Sequence, residues 1–379
     1  MIRMKIKDIC DLQNGRAFKP SDWGTAGVPI IRIQNLNDER APFNYYSGKY
    51  NLAQEVDNGD LLFSWSGTPG TSFGAFLWNR GKGVLNQHIF KVIPKVEVDK
   101  TYLMYALNGN ISTIISKAHG GVGLQHITKK ELDEIEIQMV SISRQKKIVE
   151  ILEKISLLIF LRKQQLAKLD ELIKARFVEM FGDPVSNPLH WKKVKLSELA
   201  DIKIGPFGSL LHKEDYVTGG HPLVNPSHII NGKIIVDNNL TLTEGKYFEL
   251  SAYHLKKNDV VLGRRGEMGR CAVVDEEGLL CGTGSLLIRT NGTVTADYIQ
   301  KIISFPTFKK TIEDMAVGQT MPNLNVPIVS NFMIIIPPLS VQKDYYDFVE
   351  CVDQQKQTVQ QSLDKLELMK KALMQEYFG

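Results

Sequence analysis

The sequence predicts an α+β protein of two tandem mixed α/β domains, separated and followed by long helices that pair as an antiparallel coiled coil with pseudo-twofold symmetry. Three observations predict this fold. The chain has 379 residues, enough for two to three domains; its second half repeats its first; and each half ends in a heptad pattern. With 43% hydrophobic and 23% charged residues, the composition excludes a wholly disordered or collagen-like protein.

The internal repeat sets the expected domain plan. A shift of 197 residues places residues 122–182 over residues 319–379 without a gap, so that Ile127 falls on Leu324 and Gln145 on Gln342. An ungapped match over about sixty residues is not easily chance. The repeat predicts a globular domain at 1–143, a central helix at 144–183, a second globular domain at 184–341 and a C-terminal helix at 342–379.

Both helical segments carry residues at alternating spacings of three and four, most of them apolar. The pattern runs from Ile148 to Ile173, interrupted at Arg162, and again from Tyr345 to Lys370. This spacing is typical of helices that wind around each other, and each helix would be about 50 Å long.

The two helices differ in charge. Residues 144–176 hold nine basic and four acidic side chains, a net charge of +5, whereas residues 342–377 hold five and seven, a net charge of −2. Opposite charge favours pairing of the two helices with each other. A solvated charged face is the alternative interpretation. Gly182 followed by Pro184 predicts the end of the central helix.

Within the globular segments, short apolar runs predict strands and longer patterns predict helices. Strands are expected at 28–33, 60–63, 259–262 and 286–288, and helices at 102–117 and 296–315. Pro306 must kink or split the last of these helices.

Several classes of protein are excluded or disfavoured by what the sequence lacks. It has no P-loop, no HExxH or GxSxG motif, and no Asn-Pro-Pro-Tyr/Phe motif of an amino-methyltransferase. Its four scattered cysteines form no CxxC pair, which disfavours a zinc site and suits a reducing cytosol. No signal peptide or membrane span is evident, so a soluble, cytoplasmic protein is expected. The net charge of +4 does not by itself indicate nucleic acid.

Three features of the chain, taken in order, resemble the specificity (S) subunit of type I restriction-modification systems. The first is the exit of each domain, with HIT at 126–128 and SRQ at 143–145, and PNLN at 322–325 and PPLSVQ at 337–342. The second is the junction MFGDP at 180–184, followed by Asn187, Pro188 and Trp191. The third is the duplicated strand GDLLFS at 59–64 and NDVVLG at 258–263, each leading into a glycine-rich loop. The resemblance covers essentially the whole chain, although the first exit has VSI where the second has PPL.

The resemblance implies that each globular segment is a target recognition domain reading one half-site of a bipartite, asymmetric double-stranded DNA target. The helices would fix the gap between half-sites. Two methyltransferase subunits and two restriction/translocase subunits would dock on the chain and bind S-adenosylmethionine, ATP and magnesium. This chain would carry no catalytic residue, metal or cofactor of its own.

Two other classes of function remain open at this point. The chain could be a coiled-coil structural adapter whose globular ends bind proteins, or a self-contained enzyme with an unfamiliar motif. Within the main interpretation, a modification complex without a nuclease partner is also possible. Sequence-dependent DNA binding would decide against the adapter.

Candidate DNA-contacting residues lie on loops next to the duplicated strand and before each domain exit. Arginine suits guanine or phosphate, and the amides of asparagine and glutamine suit adenine. The expected set is Trp65, Ser66, Thr68, Thr71, Asn86, Gln87, His88, His119, Gln125, Lys213, Arg264, Arg265, Arg270, Thr283, Ser285, Gln319, Thr320 and Asn323.

Each candidate also has an ordinary structural interpretation. The arginines could lie in a solvated turn, Trp65 is expected to pack rather than stack on a base, and residues 86–88 could simply begin a strand. The counterpart of residues 86–88 in the second domain is expected at 283–285.

Overall fold

The computed structural model describes residues 2–67, 73–121, 124–316 and 323–379. The part before the central helix is a set of small sheets with short helices. Its strands are β1 (Ile2–Lys5), β2 (Cys10–Asn14), β3 (Val28–Ile31), β4 (Asn44–Tyr46), β5 (Glu55–Val56), β6 (Leu61–Ser64), β7 (Ser66–Gly67), β8 (Gly74–Leu77), β9 (Gly83–Leu85), β10 (Ile89–Pro94), β11 (His119–Gly121), β12 (Leu124–His126) and β13 (Glu136–Met139). Its helices are α1 (Ile6–Ile9), α2 (Ile33–Asn37), α3 (Lys100–Gly109), α4 (Ile111–Ser116) and α5 (Lys129–Asp133), and the long helix α6 (Ile142–Phe181) follows.

The second half has a related but not identical succession of elements. Its strands are β14 (Lys192–Lys195), β15 (Ala200–Ile204), β16 (Tyr216–Val217), β17 (His221–Val224), β18 (Ile229–Ile230), β19 (Lys233–Ile234), β20 (Thr241–Leu242), β21 (Asp259–Gly263), β22 (Cys271–Val273), β23 (Leu280–Cys281), β24 (Ser285–Thr290) and β25 (Met333–Ile336). Its helices are α7 (Glu244–Glu249), α8 (Ala296–Ser304), α9 (Pro306–Met315), α10 (Val326–Ser330) and the long helix α11 (Leu339–Phe378).

The sheet topology confirms that the two halves share one fold. A four-stranded antiparallel sheet has the order β2-β10-β6-β8 in the first half and β15-β24-β21-β22 in the second. In each half the first strand pairs antiparallel with the last, β1 with β13 and β14 with β25. Each half also has one parallel pair, β3 with β9 and β17 with β23. The predicted mixed α+β repeat is therefore confirmed.

In both halves, the single helix expected before the domain exit is divided into two shorter helices. The expected helix 102–117 is divided into α3 and α4 at Asn110. The expected helix 296–315 is divided at Pro306, which begins α9. Proline is accommodated there because the first turn of a helix has no intrahelical partner for the missing N–H.

Contacts between residues group the chain into two compact units, which are Met1–Leu166 with Thr358–Gly379, and Ala167–Gln357. Both long helices cross the boundary between units. Each unit therefore contains the start of one long helix and the end of the other. The division of the chain into four consecutive segments stays a prediction.

In the first unit, the start of α6 and the end of α11 run antiparallel. Leu152 of α6 and Phe378 of α11 belong to the same core, and further along Lys163 Nζ lies 2.8 Å from Glu367 Oε1. In the second unit, Lys356 Nζ lies 2.6 Å from Asp170 Oδ1, and Phe181 packs near Tyr345. The seam residues of α6 are buried or half-buried, as the heptad pattern predicts.

A repeated glutamine joins each long helix to the globular part of its own unit. The side chain of Gln145 accepts a hydrogen bond from Asp99 N at 2.9 Å and donates one to Val140 O at 2.8 Å. Gln342 makes the same pair of bonds, with Thr295 N at 3.1 Å and Pro337 O at 3.0 Å. Both glutamines are almost fully buried. Their repetition thus reflects a structural joint between helix start and domain.

The four cysteines give a direct test of this packing. Cys10, Cys271 and Cys281 are buried free thiols, and burial raises the pKa of each to about 12, whereas Cys351 is exposed on α11. Because the thiolate is the reactive form, we expect iodoacetamide at about pH 8 to label one thiol in the native protein and four after unfolding. Intact-mass spectrometry counts the adducts, and two or more adducts under native conditions would contradict the described core.

Within the described ranges, no helix is long and apolar enough to cross a lipid bilayer. The same ranges contain no group of three or more His, Cys, Asp or Glu side chains arranged to hold a metal ion.

Candidate nucleic-acid interface

The backbone places Trp65 and Arg264 at equivalent positions beyond the duplicated strands β6 and β21. Trp65 N donates to His88 O at 3.2 Å, and Trp65 O accepts from Ile127 N at 3.0 Å. Arg264 N donates to Gly284 O at 2.9 Å, and Arg264 O accepts from Leu324 N at 2.9 Å. In each unit, the backbone of this one residue is therefore hydrogen-bonded to the other two segments near the predicted DNA-contacting residues.

The same hydrogen bonds correct the expected counterpart of residues 86–88. Asn86 N donates to Ile31 O and Gly282 N donates to Val224 O, each at 3.0 Å. Asn86 therefore aligns with Gly282, and the counterpart is residues 282–284 rather than 283–285. The error arose because two glycines flank Thr283, so no side-chain pattern fixes the alignment at this turn.

Trp65 is packed into the first unit, as predicted. Its ring lies 5.5 Å from that of Phe90 and 5.3 Å from that of His88, and its Nε1 donates to Asn14 Oδ1 at 3.2 Å. Asn14 is not among the residues predicted from the sequence, because an asparagine at a strand end carries no distinctive signal. Trp65 thus serves as the platform that positions His88.

Two side chains beside this platform have hydrogen-bonding atoms without a partner. Gln87 Nε2 lies 3.1 Å from His88 Nε2. Because an amide nitrogen can only donate, His88 Nε2 accepts this hydrogen bond, and the neutral ring carries its proton on Nδ1. Burial lowers the pKa of His88, which favours this neutral ring. His88 Nδ1 and Gln125 Oε1 are both buried and unpaired among the described residues. Gln125 lies on β12, opposite Gly67 of β7.

His119 is held by an acidic side chain at the base of the β11–β12 hairpin. It contacts Glu131, whose carboxylate also accepts from Thr128 Oγ1 at 2.7 Å and Thr128 N at 3.0 Å. The bonds from Thr128, followed by that from His119, lower the pKa of Glu131 to about 2. This carboxylate therefore stays ionised and orients the exposed His119 ring.

The three arginines of the second unit have different surroundings. Arg264 donates through Nε to Leu324 O at 3.0 Å and through Nη1 to Thr283 O at 3.4 Å. Arg270 forms an ion pair with Glu267 at 3.0 Å and donates to Pro226 O at 3.1 Å. Arg265 is exposed and has no hydrogen bond or ion pair among the described residues.

The remaining candidates of the second unit also differ in exposure and in hydrogen bonding. Thr283 is exposed, and Asn323 Oδ1 is buried without a partner in the described part of the chain. Ser285, in contrast, is fully buried and donates to Val224 O at 2.9 Å. Asn225, which sequence analysis did not select, accepts from Gly284 N at 3.3 Å and supports this turn.

Some candidates cannot be placed. Thr68, Thr71, Gln319 and Thr320 lie outside the described residues, as does the side chain of Lys213. For Ser66 and Asn86 the structure shows positions beside the platform, with Ser66 buried and Asn86 half-buried. Contact of any of these residues with DNA stays a prediction.

The chain thus consists of two copies of one α+β domain, each joined to a long helix and bearing polar loops at equivalent positions. The chain belongs to the family described as the type I restriction modification DNA specificity domain, whose sequence model matches residues 3–171 and 188–368.

Individual relatives are distant but extend over most of the chain. The specificity subunit of the type I restriction enzyme MjaVIII from Methanocaldococcus jannaschii is 24% identical over 339 residues, covering 84% of this chain and 78% of the relative. The EcoBI specificity subunit from Escherichia coli is 21% identical, with coverage of 73% and 62%.

Two solved structures share the fold over the whole chain. The type I restriction-modification S subunit from M. genitalium is 16% identical, with a TM-score of 0.57 and coverage of 100% of this chain and 96% of that one. A chain from a study of complex assembly and conformational transition of the type I system is 15% identical, with a TM-score of 0.66 and coverage of 100% and 97%.

Proposed function

We propose that this chain is the specificity subunit of a type I restriction-modification complex and reads a bipartite, asymmetric DNA target, one domain per half-site. The observation that carries the proposal is the pair of matched loop sets on one repeated scaffold. Trp65, Gln87 and His88 in one unit correspond to Arg264, Thr283 and Gly284 in the other. Equivalent backbone with different hydrogen-bonding groups suits recognition of two different base sequences.

The long helices support a target with a fixed gap. Each has 40 residues, about 60 Å at 1.5 Å per residue. Ion pairs and shared cores hold the two helices together within each unit. Paired helices of this length would make the separation between half-sites a property of the protein.

The chain would supply recognition, and partner subunits would supply catalysis. Two methyltransferase subunits and two restriction/translocase subunits would dock on it and bind S-adenosylmethionine, ATP and magnesium. The family and the printed roles of the relatives, as specificity subunits of type I restriction enzymes, support this assignment. The complex would act in the cytoplasm, where its DNA substrate lies.

A base-resolved methylation map tests the proposal. We would express the methyltransferase subunit in a methylation-free host with this chain and without it. Methylation at one two-block motif with a fixed gap, lost when this chain is omitted, is the expected result. Methylation that does not depend on this chain would contradict the proposal and favour the structural adapter.

A further inference from the structure

The hydrogen-bonding groups on the two loop sets differ in chemical type. Residues 65–72, 86–88 and 119–126 of the first domain contain no arginine or lysine but include three amides. The matching loop 264–270 of the second domain contains three arginines, and the later loop of that domain adds the amides of Gln319 and Asn323. The first set therefore lacks arginine and lysine, whereas the second offers guanidinium groups, which only donate, beside its amides.

Several side chains of the two sets make no hydrogen bond among the described residues, including Asn86 and Gln125 in the first domain and Arg265 and Asn323 in the second. In the first domain, the Gln125 amide makes no hydrogen bond among the described residues and its Oε1 is buried. The residue as a whole is only half-buried, so rotation of its side chain would bring the amide to a base, and pairing there would remove the penalty of the unpaired Oε1. In the second domain, Arg264 and Arg270 are committed to carbonyl groups and Glu267, which leaves the exposed Arg265.

The backbone next to Arg265 is held by hydrogen bonds of its neighbour. The adjacent Arg264 is fixed through its main chain to Gly284 and Leu324 and through its side chain to Leu324 O. Arg265 is therefore presented from a rigid backbone beside an uncompensated positive charge, and the electronegative O6 and N7 atoms of guanine would suit it.

We propose that the two half-sites differ in their essential base, with the first domain reading adenine through the Gln125 amide and the second reading guanine through the Arg265 guanidinium. The pairing chemistry is bidentate in both cases, since an amide matches N6 and N7 of adenine and a guanidinium matches O6 and N7 of guanine. This proposal rests on the proposed function, because it assigns bases to the half-sites that the two domains would read.

Methylation maps of variant complexes test it, with the chain co-expressed with its methyltransferase subunit. Arg265→Lys keeps the positive charge but loses the planar guanidinium with its paired N–H donors, and Arg265→Ala loses both the charge and these donors. We expect both variants to relax selection for one guanine in one block by about 10- to 100-fold, leaving the other block unchanged. Lys257→Ala removes an exposed charge elsewhere in the second domain and is the matched control.

Gln125→Glu tests the first domain by removing the amide donor. A carboxylate accepts from N4 of cytosine, so we expect adenine selection in the other block to fall by a similar factor, with cytosine gaining. Gln34→Glu makes the same chemical change at an exposed position of α2 and is the control. The unchanged block in each map shows that the variant chain is folded and assembled.

The outcomes separate the two proposals. If Arg265→Ala keeps guanine selection, or if both arginine variants lower methylation equally at every motif, Arg265 does not read a base and the proposal fails while the proposed function stands. Unchanged adenine selection in Gln125→Glu likewise overturns the assignment for the first domain. A wild-type complex that methylates no two-block motif would refute the proposed function and this proposal with it.

Discussion

Replacing Phe378 by alanine is expected to destabilise the first unit by about 3–5 kcal/mol, although the residue is more than two hundred positions away from most of that unit. Phe378 is buried, and its ring lies 5.3 Å from that of Tyr102. Its carbonyl oxygen accepts from Asn110 Nδ2 at 3.3 Å. The large effect is expected because removal of a buried ring leaves a cavity between α3 and α11 in addition to the lost burial.

The repeat supplies a matched experiment in the second unit. Phe181 is the counterpart of Phe378, with ring distances of 4.9 Å to Phe177, 5.2 Å to Tyr298 and 5.3 Å to Tyr345. Phe181→Ala should destabilise the second unit by a similar amount. Hydrogen exchange followed by peptide mass spectrometry locates each effect, in β6 and β10 for one variant and in β21 and β24 for the other.

The control is Glu376→Ala, which shortens an exposed side chain two residues before Phe378. It should leave exchange in both sheets unchanged. If Phe378→Ala accelerates exchange only at the end of α11 and leaves β6 and β10 protected, the end of that helix is not part of the first core and the described packing is wrong.

The repeat made much of this fold predictable. Two copies of the same pattern indicated one domain plan, and short apolar runs located β6 and β21 to within a residue or two. Pro306 indicated the break between α8 and α9, because proline cannot continue a helix. These features depend on neighbouring residues in the chain, so local patterns were sufficient.

Features that depend on distant residues were not predictable. The break between α3 and α4 lies where Phe378 approaches Gly109 so closely that a Cβ there would be 2.6 Å from Phe378 Cβ. Nothing in the local sequence 102–117 reveals that approach. The composition of each unit, with the end of one helix packed beside the start of the other, likewise depends on contacts that are remote in sequence.

The candidate site shows the same limit at the level of single residues. Arg264, Arg265 and Arg270 lie within seven positions and are alike in sequence. Only their surroundings distinguish them, because carbonyl oxygens and Glu267 occupy two of the guanidinium groups. Residue type therefore predicted which chemistry the loops could carry, and the hydrogen bonds indicate which side chain is free to use it.

Removing the carboxylate of Asp259 should destabilise the second unit by about 3 kcal/mol. Asp259 is 2% exposed and faces Arg289 across the β21–β24 pair. Arg289 Nε lies 2.8 Å from Asp259 Oδ1 and Nη2 lies 2.6 Å from Oδ2, so the pair is bidentate. Asp259→Leu would leave the guanidinium without its charged partner, although Arg289 Nη2 also donates to His254 O at 3.1 Å. Because about a third of the Arg289 side chain is exposed and can be hydrated, the loss should lie at the lower end of the range for a broken buried pair.

The aspartate of the duplicated strand motif therefore has a structural role in both units. In the first unit, Asp60 directly precedes the equivalent strand β6 and lies 2.8 Å from Lys91. Burial opposes ionisation of Asp60, but the hydrogen bonds from Lys91 and from the backbone of Asp57, together with the charges of Lys91 and Lys100, outweigh it, so the pKa of Asp60 is lowered. An acidic residue at the start of the central strand is therefore neutralised by a basic residue on the neighbouring strand in each domain.

A double variant separates the ion pair from general disruption of the sheet. Replacing both partners, with Asp259→Leu and Arg289→Met, removes the unpaired charge as well as the bond, and such replacements are often close to neutral. Urea unfolding should therefore show the double variant to be more stable than Asp259→Leu alone. Arg289→Lys keeps the positive charge but cannot donate two parallel hydrogen bonds to the carboxylate. Its stability should therefore lie between that of the wild type and that of Asp259→Leu. If the double variant is as unstable as the single one, Asp259 stabilises the turn before β21 through its bond from Lys256 N at 2.7 Å rather than through Arg289.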